Sequence, residues 1–195
     1  PISIGDAKKL FVVLGESSSL LGLFFLRIEN IGKSNMNTFI EQVKKHRPEF
    51  DQNSLTIGID PGETTGLAIF RGIVLSETLQ LSTSLMPAAA QNLSRWIDSW
   101  CNNKDIFTTL VMEDYRVYKW KTDSHAWAEL HTPQLIGAIR FWASLKDYRL
   151  KLQTAQIGKG FCTDDRLQEW GFYQRGARHS RDAIRHACHW LMFGD

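Results

Sequence analysis

The run Leu55–Phe70, LTIGIDPGETTGLAIF, decides how the rest of the chain is read. An apolar segment ends on a single carboxylate, Asp60, a glycine-bearing turn follows, and a second apolar segment leaves it. Short apolar runs bounded by turn residues read as buried strands, here Leu55–Ile59 and Leu67–Phe70. A strand that closes on a charge needs a reason for the charge. Asp-Pro-Gly is an ordinary turn sequence, and Asp60 can be a simple turn residue. Taken alone, the turn reading is the commoner one; the other is a ligand held on a rigid shelf.

Working outward, a third strand is expected at about Ile73–Leu79. PAAAQNLSRWIDSW then sets Leu93, Trp96, Ile97 and Trp100 on one helix face. IFTTLVME reads as a buried strand ending at Glu113, and TPQLIGAIRFWASL as a helix with Pro133 in its first turn. LKLQTA is the fifth strand, TDDRLQEWG a short helix stopped at Gly171, and SRDAIRHACHWLMF a closing helix with an apolar stripe. This order predicts an α/β fold: a mixed five-stranded sheet, its first three strands antiparallel, flanked by helices.

The expected domain spans residues 54–195. Residues 1–53 read as an N-terminal extension whose one clear element is a short amphipathic helix at about 36–47, with Phe39, Ile40 and Val43 on one side. Residues 1–35 show no clean period, and Met36 is the expected natural start, which would make them an upstream appendage.

A chain of 195 residues, 43% hydrophobic and 23% charged, supports one ordinary core and is not a disordered composition. The net charge of +2 divides unevenly: residues 1–114 carry 10 Lys/Arg against 13 Asp/Glu, residues 115–195 carry 13 against 8. A basic second part suits a polyanionic partner, and a solvated charged face would look the same. Cys101, Cys162 and Cys188 are odd in number and widely spaced, which points to a reducing, cytoplasmic setting. LLGLFFL is far short of the ~20 residues a membrane span needs. AKKLFVVLG is broken by Glu16 and the serines Ser17 to Ser19 before it makes a signal sequence.

Asp60 and Glu113 both close strands. If those strands are neighbours, two carboxylates meet at one sheet edge, a costly pairing unless a cation lies between them. Mg²⁺ suits such a place, since it takes oxygen ligands and binds through a few carboxylates plus substrate phosphate. Asp114 points to the opposite face from Glu113 if the strand continues. Asp182 on the last helix could add a third ligand, with His179 three residues before it on the same face. Each has a plainer reading: Glu113 as an exposed strand end, His179 and Asp182 as residues near a helix start.

Together, GIDPGETTGLAIF, VMEDYRVY and RHSRDAIRHACHWL resemble the active-site motifs of RuvC-type Holliday junction resolvases, especially the RuvC-like nucleases of phages, within the RNase H-like superfamily. The resemblance covers roughly Leu55 to Phe193. It implies an RNase H-like fold and catalytic, metal-binding roles for Asp60, Glu113 and Asp182. Many members carry another acid three residues before the last, and some carry histidine, as this chain does at His179. It further implies two Mg²⁺ or Mn²⁺ ions per site, roughly 3.5–4 Å apart, and hydrolysis leaving a 5′-phosphate and a 3′-hydroxyl. His179 would bind metal or handle the proton of the attacking water.

Nucleic acid would be held first by DYRVYKWKTD, where Tyr115, Arg116, Tyr118, Lys119, Trp120 and Lys121 interleave rings for bases with cations for phosphates. Tyr115 and Tyr118 serve as well in a core. Lys159, in QIGKG, matches a region where the resembled family places a basic residue near the site, and is otherwise a loop lysine. Arg178, Arg181 and Arg185 form a basic stripe beside His179 and Asp182, suited to phosphates or to pairing with the acids. His186, Cys188 and His189 lack the paired-ligand pattern of zinc sites, so core packing is the expectation for them, as for Trp96, Trp100, Trp142 and Trp190.

Other readings fit parts of this pattern. GIDPGETTG also looks like the first phosphate loop of actin-like ATPases, but no second phosphate motif or adenosine motif follows Glu113, so no nucleotide cofactor is expected. An RNase H, a packaging nuclease or a non-catalytic nucleic-acid-binding relative would share the fold. The helix with His179 and Asp182 and the aromatic-basic segment favour a resolvase acting on branched DNA. Such an enzyme works as a two-fold homodimer, so that two sites cut symmetry-related strands.

Overall fold

Alternation along the central strand settles which residues face which layer. The computed structural model describes residues 24–26, 33–84, 88–101, 107–115 and 130–194. Strand β2 (Leu55–Asp60) sends Leu55, Ile57 and Ile59 into one apolar cluster and Thr56, Gly58 and Asp60 to the other face. It pairs antiparallel with β3 (Thr64–Arg71), which pairs antiparallel with β4 (Val74–Ser82), giving the expected meander. On its other side β2 runs parallel to β5 (Thr108–Glu113), and β5 runs parallel to β6 (Arg149–Gln153). The five expected strands are present, and a short β1 (Phe24–Leu26) pairs antiparallel with β4, so the order is β1-β4-β3-β2-β5-β6. This sixth strand had no legible period in the sequence, because a three-residue edge strand is defined by its partner alone.

Helices α2 (Ala88–Trp100) and α3 (His131–Leu145) cover one face, burying Leu93, Ile97, Leu135, Ile136 and Ile139 against β2, β3 and β5. The other face carries α1 (Lys33–His46), α4 (Ala155–Phe161), α5 (Asp164–Glu169) and α6 (Arg178–Phe193). Phe39 and Val43 of α1 are fully buried in this second cluster, with the Phe39 ring 4.8 Å from Trp170 and 5.2 Å from Phe172. The N-terminal segment is thus packed on the sheet through both α1 and β1. Trp190 is buried, while Trp96, Trp100 and Trp142 pack partly buried on the first cluster.

Helix α6 lies unusually close to the sheet, and two glycines explain it. A Cβ built on Gly58 would lie 2.1 Å from the Ala183 carbonyl oxygen, and one on Gly66 would lie 2.0 Å from the His179 backbone. Gly66 is the register partner of Asp60, so the first turn of α6 rests directly beside that carboxylate. The turn leaving Asp60 is pinned as well. Thr65 and Thr83 hydroxyls share a 2.8 Å hydrogen bond, Thr83 Oγ1 donates to the Gly62 carbonyl, and Thr83 N donates to the Glu63 carbonyl at 2.8 Å.

Helix α4 falls where the sequence suggested a loop. AQIGKGF carries two glycines, which disfavour a helix. Gly158 is there for packing: a Cβ would stand 3.1 Å from the His186 ring. Among the described residues no helix is long and apolar enough to cross a membrane, and Cys101, Cys162 and Cys188 are free thiols.

Adding one methyl should separate a close approach from ordinary glycine. Gly66→Ala is expected to lower stability in urea by about 3 kcal/mol or more, since the helix backbone must move. Gly137→Ala, in α3 with nothing within 4 Å, is expected to be neutral or to gain up to about 1 kcal/mol.

Candidate active site

Because β2, β5 and β6 are parallel, their C-terminal ends lie at one edge of the sheet, on the face covered by α6. Asp60 closes β2, Glu113 closes β5, and Gln153, paired with Glu113, closes β6. Their neighbours two residues back, Gly58, Val111 and Lys151, point the same way, so all three polar ends face the helix. The first turn of α6 is anchored across the sheet by β4. The Gln80 side-chain oxygen accepts from His179 N at 2.9 Å and Ser180 N at 3.4 Å, and the Ser180 hydroxyl donates to the Leu79 carbonyl at 3.0 Å. Gln80 thereby satisfies helix-start N–H groups that Ala177, the N-cap, has no side-chain oxygen to satisfy.

The anchoring brings His179 Nδ1 to 2.8 Å from Asp60 Oδ2. Asp182, one turn on, is 4% exposed and is paired with Arg185, which also pairs with Asp164 and donates through Nε to the Cys162 carbonyl at 2.8 Å. Lys159, near the end of α4, places Nζ 3.4 Å from Asp182 Oδ2 and 3.8 Å from Glu113 Oε2. His186 Nε2 lies 3.2 Å from the same Glu113 oxygen. The four residues expected from the sequence, Asp60, Glu113, His179 and Asp182, therefore share one edge, and Lys159 joins them as a helical residue.

Burial is the main reason the Asp60 carboxyl is hard to ionise. The charges of Glu113 and Asp182 add to it, the His179 hydrogen bond opposes it, and the group titrates at about 6 in place of 3.8. Three neighbouring carboxylates are the hard oxygen donors a divalent cation prefers. Among the described residues, no three His, Cys, Asp or Glu side chains are gathered as a ready ligand set. The donor chemistry fits a metal, and ligation through Asp182 would require Lys159 or Arg185 to give up a carboxylate oxygen it now holds.

The remaining expected nucleic-acid contacts divide. Arg178 is exposed at the start of α6. Arg181 turns inward, stacking 4.9 Å over Tyr173 and donating to the Gln174 carbonyl at 2.6 Å, and Arg185 is only 11% exposed at its side chain. Tyr115 packs partly buried against the α2/α3 cluster. Arg116, Tyr118, Lys119 and Lys121 lie outside the described residues. His186 and His189 both meet Gln153, whereas Cys188 is buried beside Cys162, so these three do not form one donor set. Sequence reasoning missed Gln80, Gln153 and the contact of His186 with Glu113. One signal was available: His179, Asp182 and His186 follow 3- and 4-residue steps and so share a helix face.

These elements make up the RNase H-like fold, a mixed sheet flanked by helices with acids at one strand-end edge. No protein-family model and no curated protein sequence matches the chain. Among solved structures it is similar to T. thermophilus RuvC in complex with a Holliday junction substrate, with a TM-score of 0.53, 16% identity, and coverage of 71% of this chain and 93% of that one. At that identity the likeness establishes a RuvC-like fold.

The Asp60 titration has a sign that can be measured. Since folding raises its pKa from 3.8 to about 6, its contribution to stability is full below pH 3.8 and is lost as pH rises through about 6. In metal-free buffer Asp60→Asn should therefore be more stable than the wild type at pH 7.5, by up to about 3 kcal/mol, with the gap closing near pH 4. Urea unfolding at the two pH values reads this directly.

Proposed function

We propose that the protein is a divalent-metal-dependent endodeoxyribonuclease that cuts branched DNA, the four-way junction foremost. The observation that carries this reading is the gathering of Asp60, Glu113, His179 and Asp182, from two strands and a helix, at one edge of a RuvC-like fold. The Holliday junction bound to the structural neighbour supports the choice of substrate.

Mg²⁺ or Mn²⁺, two ions per site, would be held by Asp60, Glu113, His179 and Asp182. When bound, such ions polarise the scissile phosphate and make water a nucleophile near neutral pH. The chain's own work is to hold those donors still. Asp60 is fixed by its buried strand and pinned turn, and His179 by its bond to Asp60 and the anchoring of its helix turn. Lys159 is exposed on a flexible stem, which makes it the cation best able to leave the acids for a phosphate oxygen. Arg178 adds an exposed charge at the start of α6, and Tyr115, Arg116, Tyr118, Lys119 and Lys121 are the aromatic and basic residues that would meet bases and phosphates. Arg185, paired with Asp182, and Arg181, turned onto Tyr173 and the Gln174 carbonyl, are better suited to supporting the fold around the acids than to touching DNA. A homodimer would present two such sites to symmetry-related strands.

The test is cleavage of an end-labelled synthetic four-way junction against linear duplex and an RNA–DNA hybrid, with Mg²⁺ or Mn²⁺. Paired symmetric nicks on the junction are expected, reduced to background by chelation of the metal or by Asp60→Asn. Cutting of the hybrid alone would move the substrate to RNA. Junction binding without nicks in either metal would make the protein a non-catalytic relative.

A further inference from the structure

We infer that His186, fixed in place by Gln153, is a positioning residue that orients Glu113 for metal binding. This rests on reading the acid cluster as a metal site. His186 is 0% exposed, one turn beyond Asp182 on α6. Its Nδ1 lies 2.9 Å from Gln153 Oε1 and its Nε2 3.2 Å from Glu113 Oε2. Gln153, 7% exposed, is the register partner of Glu113 and extends its amide nitrogen to 3.4 Å from His189 Nδ1.

The chain of contacts has a direction. An amide nitrogen only donates and an amide oxygen only accepts. His189 Nδ1 is then an acceptor, in keeping with a ring that burial and the nearby His186 hold below its ordinary pKa and so neutral. Gln153 Oε1 in turn requires a hydrogen on His186 Nδ1. Nε2 is then the ring atom turned to Glu113, whose carboxylate only accepts, so the contact is a hydrogen bond when Nε2 carries a hydrogen as well. The ring is also boxed in by α4, since a Cβ on Gly158 would stand 3.1 Å from it.

Glu113 needs such support more than Asp60 does. It has one more rotatable bond, and its side chain is 23% exposed against 11% for Asp60. Both contacts that the described residues make with Glu113, from His186 and Lys159, fall on Oε2. Oε1 is left for a cation. Outer partners of this kind commonly set 10–100-fold in metal affinity.

The experiment measures Mn²⁺ binding directly, from the spin-resonance signal of free Mn²⁺, in the full chain without DNA. Asp60→Asn reports whether binding is at the acids. His186→Phe keeps a ring but removes both nitrogens; His186→Gln keeps a donor towards Glu113; Gln153→Leu removes the anchor and leaves His186. His186→Phe and Gln153→Leu should each weaken binding roughly 10–100-fold, and His186→Gln should recover most of the loss. Imidazole nitrogen NMR should show the His186 tautomer signature change in Gln153→Leu. Wild-type affinity in His186→Phe overturns the inference alone, as does wild-type affinity in Gln153→Leu should the Phe variant fail to fold. A wild type that takes up no Mn²⁺, or binds it equally well as Asp60→Asn, overturns the metal-site reading and this inference with it.

Discussion

The close fit of α6 against β2 and β3 is the constraint on which the rest of the structure depends. A helix normally rides on a layer of side chains above a sheet. Here Gly58 and Gly66 remove that layer at two places, and backbone meets backbone. Only then can a helix residue such as His179 reach the strand-end carboxylate of Asp60. The apolar clusters on both faces hold the layers together. The glycines decide how near the chemistry-bearing residues come.

Proximity creates an electrostatic problem that the protein answers in several ways at once. Asp60 retains protons more readily, Asp182 is clamped by Arg185, Lys159 bridges Asp182 and Glu113, and His186 approaches Glu113 from below. Removing one partner from such a buried arrangement costs more than the pair is worth when intact, because the charge left behind has nowhere to go. The balance is made of cations on flexible stems, which would have to yield wherever a divalent ion took the same oxygen. Arg185 is the least replaceable of them, tied also to Asp164 and to the Cys162 carbonyl.

Legibility in the sequence followed the range of the interaction. Strands and amphipathic helices are local patterns, and the α/β order with its antiparallel meander could be read from them. Asp60 and Glu113 stood out because a charge ending an apolar run is conspicuous, and His179 with Asp182 because they share a helix face. Gln80 and Gln153 did not, since a glutamine in a strand looks like any half-exposed polar residue until its partner, 99 or 33 positions away, is known. Helix α4 was hidden by its own glycines, and the reason for one of them, Gly158, is a histidine on another element. The inward turn of Arg181 and Arg185 was likewise invisible: a basic stripe on a helix looks the same whether it meets phosphate or Asp164.

The distribution of the cluster along the chain has a consequence for synthesis. Asp60 and Glu113 are made early and belong to the sheet, but His179, Asp182 and His186 arrive together on one helix, more than 60 residues after Glu113. A chain emerging from the ribosome, which folds from its N-terminal side first, carries two isolated carboxylates until α6 has docked. Any fragment that stops short of that helix lacks half of the constellation and the backbone that would hold the rest together. Assembly of the cluster is therefore the same event as the docking of α6 on the sheet.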